Sequence, residues 1–553
     1  MLGRDVFLQS LQAHGVTKMF GNPGTTESPL IDHLSEYPDI EYIVALHEGI
    51  ATGAASFYAQ ASGKTGIVNL HVAPGLGNAI GMIFNGLKAN APMIITAGQQ
   101  DTRMLLRAPV LSHNLAAMAA PVTKWSTQVE RADDLADIMR RAFKIAHDPP
   151  YGPVFVALPI NVMEQETSIV PVTAGGLVRA GRPDAAALAA MAAELSGAQN
   201  PVIVAGDDIA RAGAMEPLMA LAEKLGAAVF HEFIHAQQSV PSRHPLVRGG
   251  LPLNASQLRN WLAPYDCALL LGGPFFEEVW YDPGSPFPDG MKVLQVEESA
   301  QQLALNHHVH VGAVGGMKPT VEELLTAVQP DAAAAAARVS TMTAEAEQSR
   351  AGQAARVERS KDRRPMSISL VMQVLAESVP ENTVFVEEAI TASIDFAKSV
   401  NSPGPGSYYS GRGGGIGQGL AGALGTAVAY RDQPVVCVSG DGSAMYSIQA
   451  LWTAAHHNLN LTFVILSNRE YRVLKQNIDV YRKRFDQESN RDYTHMDLEG
   501  PILGFCDMAR GMGLSAEQVT EPDDLAAALQ RAASSDGPSL IDVVIEGLSL
   551  IHI

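Results

Sequence analysis

The feature that most constrains this chain is a regular alternation of short apolar runs with helix-like segments. Runs such as "TGIVNLH" (65–71), "PMIITAG" (92–98) and "PVFVALP" (153–159) are apolar almost throughout, which is typical of strands buried on both faces of a parallel sheet. Between the runs lie segments such as "IATGAASFYAQAS" (50–62), which suit the crossover helices that parallel strands require. The alternation therefore predicts a parallel α/β fold.

The alternation occurs in three separate blocks, which fits a chain of 553 residues because a single hydrophobic core seldom serves so long a chain. We expect three open, parallel-sheet, doubly wound domains. The predicted ranges are 1–165, 190–330 and 365–553. Residues 331–364 are Ala-rich, charged and without strand-like runs, so they are predicted to form a solvated helix and linker between the second and third domains.

Composition excludes several classes of partner. The formal net charge of −19 argues against binding to nucleic acid or to an anionic membrane. The three cysteines are far apart in sequence, so neither a disulfide framework nor a thiolate metal site is indicated, and a reducing compartment fits. The N-terminal residues lack a signal-peptide core, and no apolar run is long enough to cross a bilayer. A cytoplasmic protein is the expectation.

The third block contains two strand ends that carry metal-binding residue types. One apolar run ends on Asp441, between Gly440 and Gly442, and the next ends on Asn468. A single right-handed crossover would bring both ends to one sheet edge, where open α/β sheets bind ligands. Carboxylate and amide oxygens suit Mg²⁺ or Ca²⁺. The glycines would let a bulky anion approach, and Ser443 would open the next helix. Each feature alone fits an ordinary turn or cap; together they predict a metal–diphosphate site.

This stretch resembles the signature of thiamine diphosphate-dependent enzymes, a Gly-Asp-Gly triplet followed at a distance by two asparagines. Here 24 residues separate the triplet from Ser467 and Asn468, so a serine replaces the first asparagine. Ordered segments, among them "FGNPGTTE", "NLHVAPGLGNA", "RHPLVRGGLP" and "GDGSAMYSIQALWTAA", extend the resemblance to benzoylformate decarboxylases over nearly the whole chain. It implies thiamine diphosphate with Mg²⁺ or Ca²⁺. The implied metal ligands are Asp441, Asn468 and the backbone carbonyl of Glu470, and Tyr471 would also contact the cofactor.

The resemblance also implies three catalytic side chains in the first block. Glu48, in "ALHEGIATG", would exchange a proton with the aminopyrimidine ring; on position alone, a helix-start glutamate is a fair alternative. His71 would transfer protons beside the substrate carbonyl, although a lone strand-end histidine is usually structural. Thr25 takes the place of a serine that contacts the substrate carboxylate.

A glycine-rich stretch, "GRGGGIGQGLAGALG" (411–425), resembles the segment beneath the two cofactor rings. Ile416 would be the apolar wedge, and the carbonyl of Gly414 would accept the ring amino group. Thr391 either reaches the diphosphate or simply begins a helix.

Three positions depart from the decarboxylase pattern and imply a reshaped substrate pocket. Val279 stands where the decarboxylases have a second active-site histidine, and Val473 and Leu474 occupy a loop that is more slender in those enzymes.

The function that the resemblance implies is non-oxidative decarboxylation of a 2-oxo acid, of the benzoylformate-like aromatic kind, to an aldehyde and CO₂, with carboligation as a side activity. The alternative is a carboligase or lyase of the acetolactate synthase or benzaldehyde lyase type, acting on a 2-oxo acid or an aldehyde. A homodimer would be the minimal active unit, because two subunits share each cofactor in this family, and a homotetramer is expected.

Two more distant functions remain open. One is a non-catalytic thiamine diphosphate-binding protein, which the presence of Glu48 argues against. The other is a zinc hydrolase, because "HEFIH" (231–235) matches the HExxH pattern. That pattern requires a helix to place both imidazoles on one face, whereas here it follows a strand-like run.

Overall fold

The computed structural model describes residues 1–177, 181–487, 489 and 491–547. Within these residues the chain forms three six-stranded sheets, and every pair of neighbouring strands is parallel. The prediction of three open parallel α/β sheets is therefore confirmed. The exact domain boundaries stay a prediction, and residues 548–553 of the third predicted domain lie outside the described part.

In the described residues the strands are β1 (Lys18–Gly21), β2 (Glu41–Val44), β3 (Gly66–Leu70), β4 (Met93–Gln99), β5 (Trp125–Gln128), β6 (Pro153–Pro159), β7 (Pro201–Ala205), β8 (Ala228–His231), β9 (Val247–Gly250), β10 (Cys267–Leu271), β11 (Lys292–Glu297), β12 (Val311–Val314), β13 (Val384–Glu388), β14 (Tyr408–Ser410), β15 (Val435–Gly440), β16 (Leu461–Ser467), β17 (Ser515–Val519) and β18 (Ser539–Val544). The strand orders are β2-β1-β3-β4-β6-β5, β12-β11-β10-β7-β8-β9 and β14-β13-β15-β16-β18-β17.

The α-helices of the same residues are α1 (Gly3–Ala13), α2 (Ser28–His33), α3 (Glu48–Ser62), α4 (Val72–Lys88), α5 (Leu115–Ala119), α6 (Ala132–Ala146), α7 (Ile160–Met163), α8 (Ala185–Gly197), α9 (Asp207–Arg211), α10 (Met215–Leu225), α11 (Ala255–Leu262), α12 (Met317–Ala327), α13 (Ala332–Ser360), α14 (Ile368–Ser378), α15 (Ser393–Ser399), α16 (Gln418–Ala429), α17 (Asp441–Ala444), α18 (Ala450–His456), α19 (Arg472–Arg484), α20 (Phe505–Gly511) and α21 (Pro522–Ala533). Across the described ranges, none of them has the combination of length and apolarity that a membrane crossing needs.

The strands that sequence reasoning missed are β1, β5, β9, β12 and β17. Four of these, all except β1, lie at sheet edges. Their side chains are largely half-buried or exposed. Because these strands are not buried on both faces, they lack the continuous apolar run that identified the central strands. The missed β1 lies inside its sheet, but it has only four residues and begins with a lysine.

The first and third sheets share one hydrophobic core, formed where α3 crosses α16. Small residues allow the two helices to approach closely: a Cβ on Gly53 would lie 2.9 Å from Ala421, and one on Gly422 would lie 2.6 Å from the Phe57 ring. At the rim, the backbone N–H of Val44 donates to His457 Nε2 at 3.0 Å. The two predicted cofactor-binding blocks therefore pack against each other within a single chain.

Candidate active site

Thr25, Glu48 and His71 come together at one edge of the first sheet. They follow β1, β2 and β3, which are neighbours in the order β2-β1-β3. Because these strands are parallel, their carboxyl ends meet at one edge. The turn that carries Thr25 lies against the imidazole of His71, since a Cβ on Gly24 would fall 2.0 Å from His71 Nδ1. The structure thus groups the three residues that the sequence predicted to be catalytic.

Glu48 is held at the start of helix α3. The helix begins there because His47 is its N-cap and its Nδ1 accepts from the backbone N–H of Gly49 at 3.0 Å. The Glu48 side chain is only 7% exposed. Its Oε2 accepts from Nδ2 of Asn78, on α4, at 3.0 Å, and Gly75 leaves room beside its other oxygen. The carboxyl group is therefore both partly desolvated and fixed in direction.

Glu27 is a functional candidate that sequence reasoning missed. It is 1% exposed, and its Oε2 accepts from His71 Nδ1 at 2.9 Å. The same carboxylate accepts from Gly24 N at 3.1 Å, from Thr26 Oγ1 at 2.8 Å and from Gly98 N at 2.8 Å. The bond between His71 Nδ1 and Glu27 assigns the proton of the imidazole to Nδ1 and leaves Nε2 for other partners. Glu27 follows the end of β1, but because β1 was not predicted, this acidic residue did not stand out as a strand-end residue.

We expect Glu27→Gln to lower kcat/KM by about tenfold to a hundredfold, because one amide oxygen cannot serve four buried donors and His71 loses its orienting acceptor. The measurement is kcat/KM across pH 5.5–8.5, together with thermal unfolding. A role in orienting His71 requires a changed pH dependence. A uniform loss with the wild-type pH profile would mean that Glu27 supports only the local fold.

The second group lies at the carboxyl edge of the third sheet. Thr391, Asp441 and Asn468 follow β13, β15 and β16, which are adjacent in the strand order. The predicted crossover is confirmed, because β15 and β16 pair in parallel up to Gly440 and Leu466. Asp441 Oδ2 accepts from the backbone N–H of Arg469 at 2.7 Å. The two segments predicted to bind a metal are therefore in direct contact.

Two details of this group differ from the prediction. The helix after β15 starts at Asp441 rather than at Ser443 and ends at Ala444, and α18 follows separately. Ser443 is therefore inside a four-residue helix. Gly442 does not open towards an anion: a Cβ there would lie 2.6 Å from the Tyr471 ring, so its small size accommodates that ring instead. A Cβ on Gly440, in contrast, would have the Ser443 hydroxyl as its nearest neighbour, at 4.0 Å.

The surroundings of Asp441 suit a bound cation. Its Oδ1 accepts from Gly442 N at 2.8 Å, and burial raises the pKa of this carboxyl to about 6. Asn468 Oδ1 lies beside the backbone of Glu470, whose N–H it accepts at 3.1 Å. The Glu470 side chain pairs with Lys475, and its backbone carbonyl is the ligand that the resemblance implies. A carboxylate, an amide and a carbonyl are the donors that Mg²⁺ and Ca²⁺ prefer.

The glycine-rich segment is shaped as a cradle before α16. Gly414 has a φ of +75°, and a Cβ there would point into open space with no atom within 4 Å. Its neighbour Gly415 is held by Asn85, whose side chain bonds both the N–H and the C=O of Gly415 at 3.1 Å. Ile416 follows and is half-buried. The open space beside Gly414 leaves room for the pyrimidine ring that the resemblance places there.

Glu388 is a second residue that sequence reasoning missed. Its carboxylate accepts from the backbone N–H groups of Gly417, Gln418 and Gly419 at 2.9, 3.0 and 2.9 Å. Burial raises its pKa to about 7. The two acidic residues that end the apolar run "TVFVEEA" were a usable signal. Glu388 fixes the start of α16 directly after the cradle.

The predicted pocket residues come from different sheets of the chain. Val473 and Leu474 lie in the first turn of α19, beside the third sheet. Val279 follows β10 of the middle sheet, and its side chain is 63% exposed. Among the described residues, no hydrogen bond joins Glu48 or His71 to Asp441.

The HExxH pattern does not form a zinc site. Strand β8 ends at His231, and the residues after it are turn and loop, so the required helix is absent from this described segment. The rings of His231 and His235 are 4.4 Å apart, but Glu232 accepts from the backbone N–H of Phe276. Nowhere in the described ranges do three His, Cys, Asp or Glu side chains form a metal-binding cluster.

We expect cation binding to weaken below pH 6. The pKa of Asp441 is raised to about 6, so a proton competes with the cation below that pH and the apparent affinity for Mg²⁺ should fall about tenfold per pH unit. Calorimetric titration of Mg²⁺ with thiamine diphosphate from pH 5 to pH 8 measures this. Asp441→Asn should bind weakly with no such dependence. An equally steep pH dependence in that variant would assign the proton to another group.

Three family models match the chain. They are the N-terminal thiamine pyrophosphate binding domain (residues 1–119), the central domain (188–324) and the C-terminal thiamine pyrophosphate binding domain (391–543) of thiamine pyrophosphate enzymes. Curated relatives include benzoylformate decarboxylase of Pseudomonas aeruginosa, 32% identical over 536 residues, which are 96% of this chain and 97% of the relative. The large subunit of acetolactate synthase isozyme 2 from Escherichia coli is 26% identical, over 99% of this chain and 96% of the relative.

Solved structures agree with these matches. The thiamine diphosphate-dependent 4-hydroxybenzoylformate decarboxylase of Rhodococcus jostii superposes with a TM-score of 0.86 at 27% identity, over 99% of each chain. Benzoylformate decarboxylase of Polynucleobacter necessarius gives a TM-score of 0.86 at 28% identity, over 99% of this chain and 98% of that one. The chain belongs to the thiamine pyrophosphate-dependent enzymes and resembles benzoylformate decarboxylase.

Proposed function

We propose that this protein decarboxylates a 2-oxo acid of the benzoylformate class to an aldehyde and CO₂, using thiamine diphosphate and Mg²⁺. The observation that carries the proposal is the group at the first sheet edge. There, a buried and hydrogen-bonded Glu48 follows β2. The hydrogen-bonded pair of Glu27 and His71 follows the next two strands of the sheet, β1 and β3. Bound thiamine diphosphate supplies the carbanion chemistry and the electron sink that decarboxylation needs.

Each of the two groups, at the first and at the third sheet edge, has a distinct task in this proposal. Glu48 exchanges a proton through its carboxyl group, which Asn78 holds in place. His71, kept in one tautomer by Glu27, moves a proton at Nε2, and the exposed Thr25 contacts the substrate carboxylate. On the third sheet, Asp441, Asn468 and the carbonyl of Glu470 hold the cation, with Thr391 and Tyr471 near the diphosphate. Ile416 and the carbonyl of Gly414 position the pyrimidine ring.

We infer that two chains must associate to complete each site, as a cytoplasmic homodimer that further pairs into a tetramer. Asn78, which holds Glu48, and Asn85, which holds Gly415, are both on α4 and are seven residues apart. At 1.5 Å per residue, about 10 Å of helix separates them. Because this spacing keeps Glu48 away from the cradle of its own chain, the cradle of a second copy is the better partner for it.

A carboligase of the acetolactate synthase type is the second candidate. It is favoured by Val279, whose aliphatic side chain is exposed. An imidazole at this position would transfer a proton and hasten aldehyde release, whereas valine cannot. If proton transfer to the decarboxylated substrate is slow, an aldehyde or a second 2-oxo acid has time to react with it.

One experiment separates the candidates. The protein, loaded with thiamine diphosphate and Mg²⁺, is incubated with benzoylformate, with pyruvate and with each acid plus acetaldehyde, and the products are identified by chromatography. Decarboxylation predicts benzaldehyde and CO₂ from benzoylformate alone. Hydroxyketone or acetolactate as the main product would favour the carboligase, and no product from any mixture would overturn both proposals.

A further inference from the structure

A charge cluster, formed by Lys88, Asp207, Glu277 and Arg412, joins all three sheets; Asp207 and Arg412 are buried, Glu277 is partly exposed and Lys88 is exposed. Arg412 is 1% exposed. Its guanidinium donates to Asp207 Oδ2 at 2.9 Å and to Glu277 Oε2 at 2.7 Å. Lys88, at the end of α4, donates to the other oxygen of Glu277 at 2.9 Å. The cluster thus connects a helix of the first sheet, a helix start and a loop of the middle sheet, and the cradle of the third sheet.

The partners of Arg412 are themselves fixed. Asp207 begins α9 directly after β7, and its carboxylate also accepts from Ala236 N at 3.0 Å. Glu277 lies two residues before Val279, in the loop after β10. A buried arginine between two carboxylates is costly to disrupt because each charge would lose its compensation, and such a network favours one geometry over others. Arg412 therefore has a position set by the middle domain.

The residues after Arg412 need such an anchor. The glycine segment, residues 412–417, has left-handed backbone at Gly413, Gly414 and Gly417, with φ of +85°, +75° and +93°. Glycine populates many backbone conformations, so it loses more conformational entropy than other residues when it is held in one of them. Asn85 holds the segment from the first sheet, and Glu388 holds its end from the third. Arg412 holds the beginning of the segment, because two carboxylates of the middle domain bind its guanidinium.

We propose that Arg412 is a positioning residue through which the middle domain holds the glycine segment in its cofactor-binding shape. The inference rests on the proposed function only in naming thiamine diphosphate as the group that the segment receives. The middle domain contributes to cofactor affinity without touching the cofactor, because Asp207 and Glu277 fix the residue that starts the cradle.

The test compares Arg412→Gln with Arg211→Gln. Arg211 is the control: its charge is also near Asp207 and Arg412, it pairs with a buried carboxylate (Asp208) and it bonds the carbonyl of Ala89, but no hydrogen bond among the described residues joins it to the glycine segment. We expect Arg412→Gln to speed amide hydrogen exchange in residues 413–419 about tenfold in the cofactor-free protein and to raise the Kd for thiamine diphosphate by at least tenfold, with kcat at saturating cofactor within threefold of wild type. Arg211→Gln should leave both the exchange and the Kd at wild-type values.

A charge-neutral variant separates anchoring from simple loss of stability. Arg412→Met combined with Asp207→Asn and Glu277→Gln removes the guanidinium together with both carboxylates that bind it, so it should fold as well as wild type yet retain the fast exchange and the weak cofactor binding. Recovery of both readouts to wild type would overturn the proposal. So would unchanged exchange in a folded Arg412→Gln protein. Wild-type protein that binds no thiamine diphosphate would refute the proposed function instead, and the exchange measurement would still decide the role of Arg412.

Discussion

Replacing Glu48 with glutamine should lower kcat by about a thousandfold, because the side chain keeps its shape but loses the proton that it exchanges. The fold should survive this change. An amide oxygen at this position still accepts from Asn78 Nδ2, as the carboxylate does at 3.0 Å, and the N-cap at His47 is independent of residue 48. The measurement is the initial rate of aldehyde formation from benzoylformate at saturating thiamine diphosphate and Mg²⁺.

Glu36→Gln is the matched control for this prediction. Glu36 is in the same α/β block, ends a short 3₁₀ turn and is exposed, so the same chemical change there should leave kcat at the wild-type value. Cofactor binding and thermal unfolding of Glu48→Gln should stay near wild type. A Glu48→Gln enzyme with at least a tenth of the wild-type rate would show that proton exchange depends on another group.

Sequence reasoning located the central strands and the strand-end residues because burial on both faces leaves a continuous apolar run, and a polar residue that ends such a run stands out. Asp441 and Asn468 were found in this way, and the pairing of β15 with β16 explains why their segments meet. Glu48 and His71, in contrast, were assigned through family resemblance, because a helix-start glutamate and a strand-end histidine are ordinary features.

Sequence reasoning could not identify residues whose role depends on contacts with residues far away in the sequence. Glu27 and His71 are 44 positions apart, and Glu388 lies 29 positions before Gly417; neither spacing follows from a strand or helix period. Arg412 is a stronger case, because both carboxylates that bind it belong to the middle block. No local pattern encodes a contact between domains, so only the folded chain reveals it.

The close approach of α3 and α16 leads to the largest expected effect on stability. Gly425→Ala should destabilise the protein by about 3 kcal/mol or more, because the added Cβ would lie 1.8 Å from the backbone oxygen of Ala54 and 2.8 Å from Tyr58 N. Backbone atoms cannot move aside as a flexible side chain does, so the helices must separate. Cofactor binding should weaken as well, since α3 begins at Glu48 and α16 follows the glycine segment.

Gly352→Ala provides the matched comparison, because Gly352 is also in a helix interior, that of α13, and a Cβ there would meet no atom within 4 Å. There the same substitution should stabilise the protein by about 0.5–1 kcal/mol, through the better helix propensity of alanine. Urea-induced unfolding followed by circular dichroism measures both changes. Since helix propensity acts in the same direction at both positions, the difference between the two variants isolates the cost of separating α3 from α16. Equal effects at the two positions would mean that the contact does not hold the first and third sheets together.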